Sequence, residues 1–337
     1  MIEAQFTEAL TSIEATFDSR VQFCALEVGG FDGEQCTLAG RVLDEQTLTA
    51  VSYQLSAQFP TVTFDETAVE ILSRPTGPRL TVCTNLAGLH RRPSRITEML
   101  SELVNGWVVE PLFTEQGWHF ARQEDGYLGW INGAYLAAWP PLEPTHLASQ
   151  PVSLLRAEPH GGAPLVSRVL AGTAVTVETL SAGWARLTLA GGMAGWLPAS
   201  DLRALTELPQ DENGRRRQMM VDAYQYVGVP YRWGGISALG IDCSGLAQLL
   251  YRLVGITLPR DADMQLAAGR LVEPPFQPGD LLFFGSTGGH RRITHVAVSV
   301  GGWRVIHSSG SRNGVYEDDV QAVASLHESF VGACTYL

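Results

Sequence analysis

At 337 residues the chain is longer than one ordinary hydrophobic core organises, so two to four domains are expected. Apolar residues make up 45% and charged residues 17%, the balance of a folded globular protein and not of a disordered one. A net charge of −12, with no lysine anywhere, argues against nucleic acid or an anionic membrane as partner and excludes a lysine nucleophile or Schiff base.

The chain opens Met1-Ile2-Glu3-Ala4-Gln5, without the basic start and apolar core of a secretory signal, and no later stretch reaches transmembrane length. Cys24, Cys36, Cys83, Cys243 and Cys334 are an odd count without CxxC spacing, which speaks against a disulfide framework and a zinc site. A reducing, cytoplasmic setting is the expectation, with no metal or cofactor. Residues 1–78 read as a small α+β domain without a catalytic constellation. It has a helical start, strand-like runs over 22–28 and 35–42, a helix over 44–58 and a strand over 68–72.

A repeat follows. Trp118 and Trp184 are separated by the same offset as Trp130 and Trp196, and that offset also relates Leu89 to Leu155, Pro93 to Pro159 and Leu136 to Leu202. Residues 79–141 and 142–206 are therefore expected to be two copies of one small β domain, with strands such as 117–121 and 127–131. The run Trp139-Pro140-Pro141-Leu142-Glu143-Pro144 reads as a stiff connector, and the polar stretch 209–217 as a break before the last domain.

Residues 207–337 hold the chemistry. After Gly240-Ile241-Asp242-Cys243-Ser244-Gly245, the apolar positions Leu246, Leu249, Leu250 and Leu253 fall at helical spacing, and Gly255 supplies a stop. Cys243 is thus expected in the first turn of a helix, with Asp242 as N-cap and the helix dipole favouring a thiolate. A thiolate needs a base, and the strand-like run 293–300 offers His295. Gly301-Gly302 then turns the chain toward His307, which can orient the His295 ring only if loop length or a bulge puts both histidines on one face. Asp242 also reads as a cap alone and His307 as a core histidine, while Arg291 and Arg292 read as a solvated charge pair and Trp233 as packing.

The series GVPYRWGG, GIDCSGL, GDLLFF, THVAVSVGG and VIHSSG resembles the NlpC-type papain-like cysteine peptidases, in order and spacing over residues 207–337. The resemblance implies an α+β papain-like domain that cleaves peptides of bacterial peptidoglycan. Cys243, His295 and His307 would be its catalytic positions, and Tyr231 would help form the oxyanion site. The two copies resemble bacterial SH3-like barrels. That arrangement is similar to γ-D-glutamyl-L-diamino acid endopeptidases, which act on stem peptides with a free N-terminal L-Ala, such as L-Ala-γ-D-Glu-diaminopimelate. By that resemblance Tyr127 and Asp261 would hold the free amine, with Ser244 and Asp242 in the polar wall, and the role would be recycling of murein peptides. Tyr127 reads equally as a packed aromatic and Asp261 as a turn residue, while arginines at 91 and 92 replace a further acidic group. The alternatives are wall remodelling at the cell envelope, amidase or acyl-transfer chemistry on the same fold, and a non-catalytic wall-binding protein.

Overall fold

Phe6, Ala9, Leu10 and Ile13 recur at helical spacing and form the buried face of α1 (Ile2–Glu14). That face covers a sheet of β1 (Cys24–Phe31), β2 (Gln35–Val42) and β3 (Thr63–Ile71). The computed structural model describes residues 2–140, 143–286 and 292–337. Helix α2 (Glu45–Gln58), capped by the Asp44 carboxylate on the Thr47 N–H, is the crossover that lets β2 and β3 run parallel. β3 starts at Thr63, earlier than expected, because its first residues pair with β2 from Gln35 onward.

The repeat is visible strand by strand. In the first unit β4 (Leu80–Val82), β5 (Leu86–His90), β6 (Met99–Val104), β7 (Val108–Glu115), β8 (Trp118–Arg122), β9 (Leu128–Asn132) and β10 (Leu136–Ala137) form one seven-stranded sheet, in the order β10-β4-β7-β8-β9-β5-β6. In the second, β11 (His146–Ala148), β12 (Val152–Arg156), β13 (Leu165–Leu170), β14 (Ala174–Val175), β15 (Val177–Ser181), β16 (Trp184–Thr188), β17 (Ala194–Pro198) and β18 (Leu202–Ala204) repeat those pairings in two sheets. Trp118 pairs with Asn132 and Trp184 with Pro198, while His90 pairs with Trp130 and Arg156 with Trp196, so even the register repeats. Within the connector, Pro141 and Leu142 lie outside the described residues.

The expected break at 209–217 is mostly helix. α3 (Glu212–Tyr224) starts there because Asp211 caps the Gly214 N–H. It is also pinned by Arg216, which reaches Glu212 one turn away and the buried Asp280. After β19 (Ile236–Ser237) and β20 (Gly240–Ile241) comes α4 (Cys243–Arg252), then α5 (Ala262–Ala268). The last sheet has the order β21-β26-β22-β23-β24-β25 and comprises β21 (Arg270–Val272), β22 (Leu281–Gly285), β23 (Ile293–Gly301), β24 (Arg304–Ser309), β25 (Gly314–Asp319) and β26 (Phe330–Thr335), with α6 (Ala324–Ser329) before its final strand. Leu246, Ala247 and Leu250 of α4 pack on Phe283, Val296, Val298 and Ile306, which fixes the nucleophile helix against the sheet that carries the histidines.

Gly245 explains how closely that helix start is held. A Cβ there would stand 2.2 Å from the Gly235 carbonyl oxygen, so the loop before the helix can cross its first turn only over a glycine. Gly234, at φ +77°, meets the Met99 carbonyl of the first β unit with similar closeness.

Candidate active site

Cys243 is the first residue of α4, and the Asp242 carboxylate accepts a 2.7 Å hydrogen bond from the Gly245 N–H as its N-cap. The thiol is half-buried and packs against the core cluster that includes Val296. Val296 is the neighbour of His295, so the sulfur lies against β23 beside that ring. Among the described residues no hydrogen bond joins the sulfur to His295 itself.

The histidines meet through a bulge. Near the turn, Gly301 pairs with Arg304, but farther along Ser299 pairs with Val305 and Val298 with Ile306, so one residue is skipped. Continuing that register puts His307 opposite position 297, two residues from His295 and on its face. Without the skipped residue His307 would lie opposite Val298, on the wrong side of the strand. His295 Nε2 stands 2.7 Å from His307 Nδ1, and His307 Nε2 stands 2.9 Å from an Asp318 oxygen on β25.

Proton bookkeeping along this chain assigns the tautomers. Asp318 is held below the usual carboxylate range by hydrogen bonds from His307 and Arg312, which outweigh its burial, so it is an acceptor. His307 therefore donates through Nε2 and accepts at Nδ1, and the proton of His295 sits on Nε2. The His295 Nδ1 lone pair is left for the thiol. Burial, with His307 adding to it, pushes His295 down to about 3, and burial with the Asp242 charge pushes the Cys243 thiol up to about 12. The resting pair is thus a neutral thiol and a neutral imidazole. This departs from the thiolate expected of a helix N-terminus: burial and the Asp242 charge outweigh the dipole.

Tyr231 lines the same groove, packs its ring over Gly310 and pairs by backbone with Ile241. Among the described residues its hydroxyl has no hydrogen-bond partner, which leaves it available as a donor. The Cys243 N–H, as the first of its helix, has no intrahelical partner either.

Asp242 and Ser244, expected in the polar wall, line the groove, and their side chains are engaged by neighbours. Both Asp242 oxygens are occupied by Gly234 N–H, Gly245 N–H and the Arg260 guanidinium, at 2.6 Å for the shortest contact. Ser244 donates its hydroxyl proton to Asp242 and accepts from Arg260. Both border the groove, but they hold the helix start in place and present no free charge or proton. The reason is Arg260, 2% exposed and unnoticed in the sequence, which needs this anion and this acceptor to be buried at all.

Tyr127 and Asp261, 134 residues apart, do come together: the Tyr127 hydroxyl donates to Asp261 Oδ2 at 3.0 Å. Asp261 occupies the N-cap position of α5 but makes no side-chain cap bond, because its carboxylate turns to the groove instead. Trp233, expected as packing, is 61% exposed on the groove wall, and its indole N–H donates to Glu98. Arg292 is exposed at the rim, and Arg291 lies outside the described residues. Three residues that carry the site were missed: Arg260, Asp318 and Arg20. Asp318 alone had a local signal, an acidic residue on the strand after His307.

Residues 228–332 match the model of the NlpC/P60 family. The gamma-D-glutamyl-L-lysine dipeptidyl-peptidase of Bacillus cereus (strain ATCC 10987 / NRS 248) is 30% identical over 236 residues, 64% of this chain and 66% of that protein. The chain belongs to the NlpC/P60 family. Dipeptidyl-peptidase 6 of Lysinibacillus sphaericus is 28% identical over 253 residues, 69% of this chain and 89% of that one. The crystal structure of an NlpC/P60 family protein from Bacillus cereus superposes with a TM-score of 0.68 at 22% identity, covering 77% of this chain and 99% of that chain, a likeness of fold. The chain spans about two thirds of the length of the first relative and nearly nine tenths of the second. Its C-terminal part is an NlpC/P60 cysteine peptidase domain, in an α+β chain whose relatives include proteins named as a dipeptidyl-peptidase, a DL-endopeptidase and a peptidoglycan endopeptidase.

Proposed function

We propose that the protein is a γ-D-glutamyl-L-diamino acid endopeptidase that cleaves peptidoglycan stem peptides carrying a free N-terminal L-Ala. The observation that carries this reading is the Tyr127–Asp261 contact, in which a side chain of the first β unit closes one end of the Cys243 groove with a carboxylate. A charged ammonium gains a charge-assisted contact there, worth about 1.5–3 kcal/mol, which an acylated amine forfeits. The wall adds a steric barrier against a glycan-linked peptide, so peptides already detached from the wall are the favoured substrates, as in recycling. We read the two β units as SH3-like and assign them this positioning role.

In the reaction His295 Nδ1 takes the Cys243 thiol proton as the sulfur adds to the γ-carbonyl carbon of D-Glu. Because both groups rest neutral, this proton transfer accompanies attack. The oxyanion is received by the Tyr231 hydroxyl and the Cys243 N–H. The C–N bond then breaks, His295 returns the proton to the departing α-amine of the diamino acid, and water enters by the reverse sequence to hydrolyse the thioester. His307 and Asp318 hold the tautomer throughout.

Mass spectrometry of the products from L-Ala-γ-D-Glu-meso-diaminopimelate tests the reading: L-Ala-D-Glu and free diaminopimelate are expected, and none from the Cys243→Ala variant. Cleavage at another bond, or equal cleavage of the N-acetylated peptide and of intact sacculi, would overturn it.

A further inference from the structure

The far end of the groove is built by a unit with no catalytic motif. Between α1 and β1 the chain makes a tight turn in which the Asp18 carbonyl accepts from the Val21 and Gln22 N–H groups, and the Asp18 carboxylate accepts from the Arg20 N–H. The Arg20 carbonyl in turn accepts from the Leu128 N–H, the residue after Tyr127, at 2.7 Å. Nearby, Phe23 packs against Phe113 and Phe120 of the first β unit, so the turn is clamped to that unit on two sides.

The Arg20 side chain bridges its own turn and the peptidase domain. Its Nε and Nη2 bind Asp18, its Nη1 and Nη2 bind both oxygens of Asp263 at 2.7 and 2.8 Å, and its Nη1 binds Asp261 Oδ2 at 2.9 Å. Asp261 and Asp263 lie 241 and 243 residues along the chain from Arg20. One guanidinium facing three carboxylates leaves the cluster two negative charges in excess, which suits a further cation. The arrangement also leaves room for it. Arg20 and the Tyr127 hydroxyl both use Asp261 Oδ2, and among the described residues Oδ1 has no hydrogen-bond partner.

We propose that Arg20 is a specificity-determining positioning residue: it fixes Asp261 so that Oδ1 faces the groove as the acceptor for the substrate's terminal ammonium. The inference rests on the free-amine reading above and adds to it a role for the N-terminal unit, which becomes the third wall of the substrate site. Arg20 is too well anchored to act as a plug. Three of its contacts hold it to Asp18 and two to Asp263, against one to Asp261, so the ammonium binds beside it and does not displace it.

The test uses the full chain and two peptides, L-Ala-γ-D-Glu-meso-diaminopimelate and its N-acetyl form. Arg20→Gln is expected to lower the preference for the free peptide at least tenfold, through a raised KM for that peptide with its kcat within about twofold and with the slow cleavage of the N-acetyl peptide little changed. Arg20→Lys, which keeps the charge but not the fork, should recover part of the preference. Should Arg20→Gln fail to fold, Asp263→Asn removes the second anchor of the guanidinium and reads the same ratio. A lower KM in Arg20→Gln would mean that the guanidinium blocks the site, and equal losses on both peptides would mean a merely structural contact; either overturns the inference, as does an unchanged ratio. A wild-type protein that does not discriminate between the peptides fails the free-amine reading itself, whereas a discriminating wild type with an equally discriminating Arg20→Gln fails this inference alone.

Discussion

The chain from Cys243 to Asp318 works only if each ring nitrogen has one assigned proton, and the far carboxylate makes that assignment. Asp318→Ala frees His307 to donate toward His295, which puts the proton on the wrong nitrogen of the base. A fall in kcat of about 10²-fold or more is expected, with KM changed little, in steady-state kinetics. The pH profile follows from the same groups. His295 must be unprotonated to accept the thiol proton, so activity is present above its pKa and is lost as pH falls through it. Because burial and His307 depress that pKa to about 3, the acid limb of kcat/KM should lie well below the ordinary histidine value of about 6.5. An acid limb centred at 6.5 would contradict the half-buried, neutral base. Arg260 belongs to the same scale: Arg260→Met strands the buried Asp242 carboxylate, for which a loss of about 3–5 kcal/mol is expected in denaturant unfolding.

Among the elements, the nucleophile helix and the histidine hairpin are each set by one local irregularity. At the helix, Gly245→Ala would push a methyl group into the Gly235 carbonyl, and either the helix or the loop bearing Tyr231 must shift. An overpacking cost of about 1–3 kcal/mol is expected, with a disproportionate fall in kcat because the sulfur and the oxyanion donors move apart; thermal melts and kinetics check both. In the hairpin, the bulge before Arg304 decides which face His307 takes. The strands are legible from their alternation, and the shared face of the two histidines is conditional on loop length or a bulge. The bulge itself was not legible, since Gly-Gly accommodates several turn geometries.

Across the whole molecule, the first β unit is joined to the peptidase domain through Glu102. This buried carboxylate accepts from Arg232 and from the Ile236 N–H, and its burial raises its pKa. Glu102→Ala leaves the buried Ile236 N–H unpaired and releases Arg232, so a loss of about 2–4 kcal/mol is expected. Two separated transitions in calorimetry, where the wild type shows a closer-coupled one, would mark the loosened joint. The second β unit is tied in the same way, by Arg203 on Asp222 and on the Leu253 carbonyl at the end of the nucleophile helix. Every unit therefore touches the domain that bears the groove or the wall beside it.

The sequence alone determined whatever depends on neighbours within a few residues. It placed Cys243 at a helix start under an Asp242 cap, His295 on a strand, and two β units in tandem, because periodicity, capping and turn chemistry are local. It also joined Tyr127 to Asp261, though only through a family resemblance. What tertiary structure decided are the charges and pairings that require burial or contact at long range. Asp242, by resemblance a residue of the polar wall, has both oxygens engaged because the fold brings Arg260 to it from the loop before α5. A thiolate is expected of a helix start, but partial burial and the nearby Asp242 charge raise the Cys243 thiol instead. Arg20, in a turn without any motif, acquired a place at the active site only because folding brought it to Asp261 and Asp263. Pairing of charges over such distances leaves no periodic trace in the chain, since the partners are selected by shape and exclusion of water and not by spacing.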